Sequence, residues 1–186
     1  MNGHLYHLNL SALSSSWRIS ICIKLQTVFA SGGTLWTCLY CESVNTPCSA
    51  WTKNGLNKFE RTFIQFDFSA VPNGARITAA QLDLTNDGSP HGGGNSSRYG
   101  QSSVYLSRVT GHWNEYNITW NNMPGISTTD RLAIPAPATA YAPMSADVTT
   151  LVKDILNSEA GNNGFEMRLA DRAKVPQRTL CQHPAQ

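Results

Sequence analysis

Two tryptophans, Trp113 and Trp120, stand seven residues apart with Glu115 between them. Indole faces suit the C–H faces of pyranose rings as they suit other apolar surfaces, so one use of the pair is a sugar-stacking platform. The competing use is to plug a core and hold a corner, and it is favoured here because large aromatics are mostly buried. Trp51, Tyr99 and Tyr116 border polar or Gly-rich segments and are better placed to form an exposed aromatic face. Arg61, Arg98, Arg108 and Lys58 could pair with carboxylates, the guanidinium by its two parallel donors. Taken singly, each is a solvated surface charge. Asp83, Asn86 and Asp87 bunch at a strand end. These hard oxygen ligands would hold a Ca2+ only with help from backbone carbonyls or Asp67. A plain Asn-Asp-Gly turn is the simpler use of the same residues.

Signs of catalysis are sparse. His112 and Glu115 could form an acid–base pair, and several Asp could form a carboxylate dyad for glycoside hydrolysis. No spacing singles out one pair, and GxSxG, HExxH and P-loop patterns are missing. His91-Gly92-Gly93-Gly94 has no nucleophile elbow to serve and reads as a flexible tip. Of the five cysteines, Cys38 and Cys41 form a CxxC, with Cys22, Cys48 and Cys181 elsewhere. Zinc needs two more well-spaced ligands and a redox pair needs a strand-to-helix setting. Unpaired thiols are the expectation.

These groups must be positioned by a chain of 186 residues, long enough for one domain with its own core. Charged residues make up 14% and the formal net charge is +2, with Lys and Arg scattered. That excludes a charge-rich disordered chain and a strongly basic nucleic-acid binder. No apolar run approaches the roughly 18 residues that span a bilayer. The N-terminus lacks the layout of a signal peptide, since Arg18 and Lys24 interrupt it.

Alternation is the dominant pattern. Residues 1–48 are poorly defined, with one strand around 19–29. In the run 62–68, Ile64, Phe66 and Phe68 share a buried face while Gln65 and Asp67 face out. A turn at 71–74 leads to a second strand, with Ala80, Leu82 and Leu84 inside. The two strands form a hairpin or lie in opposite sheets. Residues 86–101 are a loop, 102–109 a strand with Val104 and Leu106 inside, and 125–144 an extended Pro-containing connection. Asp147 is expected to cap a helix whose apolar stripe is Val148, Leu151, Val152 and Ile155. Phe165, Met167 and Leu169 alternate in a late strand. Short strands, polar loops and one short helix predict an all-β fold, an antiparallel β-sandwich or jelly roll.

An ordered set of segments adds a family likeness. It comprises 49–52 and 60–77 (ERTFIQFDFSAVPNGARI), 104–110 (VYLSRVT), Trp113-Asn114-Glu115 with 119–124 (TWNNMP), 147–154 (DVTTLVKD) and 164–169 (GFEMRL). The set resembles DNRLRE modules, disaggregatase-related domains similar to carbohydrate-binding modules, over roughly residues 49–170. The Asp-rich opening strand that the pattern places before Trp51 and the closing segment that it places after Leu169 are not found here, consistent with a truncated or frame-shifted gene product. The resemblance implies a jelly-roll domain over 49–186 in a secreted or cell-surface protein, commonly fused to polysaccharide-degrading enzymes. Some such relatives bind acidic polysaccharides such as alginate.

The expected function is non-catalytic polysaccharide binding, with Trp51, Arg61, Tyr99, Arg108 and Tyr116 as the binding set. A structural Ca2+ is placed at Asp83, Asn86 and Asp87, with no cofactor required and neither nucleic acid nor membrane as partner. The alternatives are a structural or adhesive spacer of the same fold and a part of a polysaccharide-degrading enzyme.

Overall fold

The computed structural model describes residues 6–12, 15–19, 22–31, 34–37, 50–53, 56–84, 103–136, 138 and 142–170. Six strands precede the first long turn: β1 (Tyr6–Ala12), β2 (Ser16–Ile19), β3 (Cys22–Ser31), β4 (Thr34–Thr37), β5 (Ala50–Lys53) and β6 (Leu56–Phe66). Then come β7 (Ile77–Leu84), β8 (Val104–Arg108), β9 (Leu132–Ile134), β10 (Met144–Asp147), the helix α1 (Thr149–Leu156) and β11 (Phe165–Leu169).

Every strand pair is antiparallel. One sheet has the order β10-β7-β1-β2 and the other β4-β3-β6-β11-β8-β9, with β5 also paired to β6. The strands on either side of the turn at 71–74 therefore lie in opposite sheets, the second of the two arrangements that the alternation allowed. The sandwich and the single short helix follow the sequence pattern. The N-terminal region does not. Residues 6–37 hold four strands where one was expected, and they enter both sheets. Their signal is short rather than absent: Leu8 and Leu10 alternate with Asn9 and Ser11 over only a few residues. Asn9 earns its place through a partner 74 residues away, its amide donating to Asp83 at 2.7 Å.

The core between the sheets gathers Leu8 and Leu10 of β1, Ile64 and Phe66 of β6, and Ala80, Leu82 and Leu84 of β7. Val104 and Leu106 of β8, Phe165 and Met167 of β11, and Leu151, Val152 and Ile155 of α1 complete it. The helix thus buries the face that its i, i+3, i+4 spacing predicts. Its cap is shifted by one residue from expectation. Val148 holds the N-cap position, and its side chain is committed to the core. Asp147 reaches across it, its Oδ1 accepting from the Thr149 backbone N–H at 2.9 Å and the Thr149 hydroxyl at 2.6 Å.

Both donors favour the charged form, so Asp147 titrates below its ordinary value of 3.8, the Thr149 hydroxyl contributing first. A lowered pKa adds stability that is present above 3.8 and is lost as pH falls through the folded-state value. Thermal melts of wild type and Asp147→Asn should therefore differ by a constant amount above about pH 5 and converge below 3.8. A gap that persists at lower pH would contradict this.

The second departure concerns β6. Gln65 was expected to face water, yet it is buried, and Phe63 is fully buried on the same side. The loop after β8 folds over that face. Trp113 and Ile118 join Phe63 and Val109 in a second, smaller core, with Trp120, Met123 and Ile126 packed against it. The strand is therefore apolar on both faces over this stretch, which an alternating pattern alone does not announce.

Candidate functional site

Beside the second core, the outer surface of the larger sheet collects charge and aromatic area. Here β6, β11 and β8 lie side by side, and their register defines two rows. Phe63, Glu166 and Ser107 oppose one another in the first, and Arg61, Arg168 and Tyr105 in the second. Neighbouring strands are about 4.8 Å apart, so the second row is roughly 10 Å long.

Glu166, in the first row, is fully buried beside the second. Its Oε1 lies 3.5 Å from Arg61 Nη1 and its Oε2 3.9 Å from Arg168 Nε. A carboxylate held out of water is costly alone, and two flanking guanidinium groups offset that cost. Arg61 also sits 4.8 Å from the centroid of the Trp120 ring, a cation–π stack. At the far end of the row, Arg131, which precedes β9, lies 5.0 Å from the Tyr105 ring centroid. Three guanidinium groups thus gather along the row, two of them around one buried carboxylate. The Arg61 and Arg168 side chains keep 16% and 17% of their surface in contact with solvent. Two aromatic rings flank them, both half-buried.

The expected residues distribute unevenly. Arg61 is in the row. Arg108 is not: it opposes Phe165 of the main core, so the sheet separates it from Arg61. Its Nη1 donates to Ser158 Oγ at 3.4 Å, near the end of α1. Tyr116 is 72% exposed on the loop that carries Trp113 and Trp120, in keeping with an exposed aromatic. That loop is held by Asn114 Oδ1, which accepts from the Tyr116 N–H at 2.8 Å, and by the Asn122 amide, which donates to the Asn117 carbonyl at 2.9 Å. The tryptophan pair splits: Trp113 is core, as favoured, whereas Trp120 is half-buried against Arg61. The backbone of Trp51, in β5, pairs with that of Lys58 in β6. Tyr99, Asn86 and Asp87 lie outside the described residues, as do Cys38, Cys41, Cys48 and Cys181.

Asp83 is engaged by protein donors. Oδ1 accepts from Ser145 Oγ at 2.7 Å and from Gln81 Nε2 at 2.9 Å, and Oδ2 accepts from Asn9. The other two expected Ca2+ ligands, Asn86 and Asp87, lie outside the described residues, and among the described residues no three His, Cys, Asp or Glu come together as a metal site.

Sequence reasoning missed Tyr105, Arg131, Glu166 and Arg168. The polar members of the 165–169 alternation were the available signal, but which strands flank them is a non-local fact.

A family model described as carbohydrate-binding module family 96 matches residues 44–175, well over half of the chain. The chain belongs to that family. The matched span of this family 96 module includes every residue of the row, together with Trp120, Arg131 and Glu166. Strands β1 to β4, within 6–37, lie ahead of it. No curated protein and no solved structure matches the chain. Family 96 membership makes this a carbohydrate-binding module. Among the described residues, no helix is long and apolar enough to cross a membrane.

Proposed function

We propose that this module binds an acidic polysaccharide, without cleaving it, along the row Arg61–Arg168–Tyr105. It would do so as an accessory part of a larger secreted or cell-surface protein, the setting implied by the DNRLRE likeness. The observation that carries the reading is the pairing of two cation–aromatic stacks, Trp120 on Arg61 and Arg131 on Tyr105, at either end of a row with Arg168 between them. Guanidinium forks suit glycan carboxylates, and ring faces suit the apolar faces of sugars. The reading requires no metal, because the cations are the protein's own.

Affinity electrophoresis through alginate, pectin and a neutral glucan tests it. Alginate or pectin should retard the folded protein and the glucan should not. Salt should weaken the retention, since charges that keep some contact with solvent are screened over about 8 Å at physiological ionic strength. Arg168→Ala and Trp120→Ala should each weaken binding about tenfold. Retention on no polysaccharide, from a folded sample, would defeat the proposal.

One observation favours a second reading. Arg61 has Trp120 on one side and Glu166 on another, an arrangement that also serves to hold the loop onto the sheet. A spacer without a glycan site would lose stability in Trp120→Ala and show no retention in any form.

A further inference from the structure

Resting on that glycan-binding reading, we infer that Glu166 is the positioning residue of the row: it fixes the orientation of Arg61 and Arg168 and so sets which anions the face selects. The carboxylate is fully buried, so it meets no ligand itself. It opposes Phe63 on one side and Ser107 on the other, which places it on the same face as the row, two residues along the strand. From there its oxygens form an ion pair with each guanidinium, at 3.5 Å and 3.9 Å.

A guanidinium has five N–H donors in a rigid plane. Each ion pair draws one side of a guanidinium toward Glu166, while 16% of the Arg61 side chain and 17% of the Arg168 side chain stay in contact with solvent. Two guanidinium groups drawn to one carboxylate on neighbouring strands make a pattern that suits planar carboxylates at a repeat near the strand spacing. Without the anchor, Arg61 and Arg168 remain cations but become mobile and repel each other. The face would then attract any polyanion by charge alone. Glu166 thus trades net positive charge for orientation.

Three forms carry the test: wild type, Glu166→Gln and Glu166→Asp. Gln keeps the shape and removes the charge; Asp keeps the charge on a shorter stem. Binding to alginate and to dextran sulfate is measured across a salt series, with the folded fraction of each sample set by circular dichroism. In Glu166→Gln, the preference for alginate over dextran sulfate should fall about tenfold, with a steeper salt dependence, because the face gains one positive charge. Glu166→Asp should recover part of the preference. Side-chain 15N NMR adds a ligand-free readout: rotation of the Arg61 and Arg168 guanidinium groups should be hindered in wild type and freer in Glu166→Gln. A residue that matters only for folding would lower the melting temperature while leaving selectivity, salt dependence and guanidinium rotation unchanged, and that result would overturn the inference. If wild type binds neither polymer, the glycan-binding reading falls and this inference with it. If wild type binds and both variants match it, the inference alone falls.

Discussion

Gly164→Ala is expected to lower the melting temperature by on the order of 10 °C, the largest effect of an added methyl group among the described glycines. Gly164 sits at φ 75°, immediately before β11. A Cβ there would run into the carbonyl oxygen of Ile64 and stand 2.8 Å from the Cα of Gln65. Both are backbone atoms of a central strand and cannot swing aside. The substitution therefore combines left-handed backbone strain with overpacking, together about 3–4 kcal/mol. It also disturbs the Gly164 carbonyl, which accepts from the Val109 N–H at 2.9 Å.

Gly161→Ala is the control, since Gly161 has a similar φ of 71° but nothing within 4 Å of its added Cβ. It should cost about 1–2 kcal/mol, the conformational part alone. Equal losses at the two positions in thermal melts would show that close approach to β6 does not matter.

Trp113→Ala is the second large effect, at about 3–5 kcal/mol. The indole is buried with its ring centroid 5.7 Å from that of Phe63, and its Nε1–H donates to the Asn163 carbonyl at 2.9 Å. Removing it opens the second core and strands that carbonyl. The loop then loses its anchor, and Trp120 loses its place over Arg61, so polysaccharide retention should weaken along with stability. Trp113→Phe separates the two contributions. It keeps most of the ring contact and forfeits the hydrogen bond, a loss of about 1–3 kcal/mol. If Trp113→Ala melts like wild type, the loop is not held by this side chain.

The fold was legible where alternation was strong. The runs at 62–68, 77–84 and 165–169 declare strands because one face of each is apolar, and the stripe from Val148 to Ile155 declares the helix. The N-terminal strands were largely illegible, because the alternation of Leu8 and Leu10 with Asn9 and Ser11 is short and its pairing partner β7 lies far away in sequence. Of the site, Arg61 was legible from its residue type. Arg108 looked equivalent but lies across the sheet, since strand parity decides its face and the register of β8 against β11 is not written locally. Glu166 was hidden for the same reason. A glutamate in an alternating strand looks solvent-facing until two arginines from neighbouring positions and a covering loop are known.

The position of β1 has a practical outcome for anyone shortening the chain. It lies between β2 and β7, outside the family match that begins at residue 44, yet contributes Leu8 and Leu10 to the interior. A protein trimmed to the matched span would leave one side of β7 without its hydrogen-bonding neighbour and open a hole above Leu82. Bare edges of that kind recruit other chains. The trimmed form should come out of expression as insoluble material, whereas one starting ahead of Tyr6 should remain monodisperse on gel filtration.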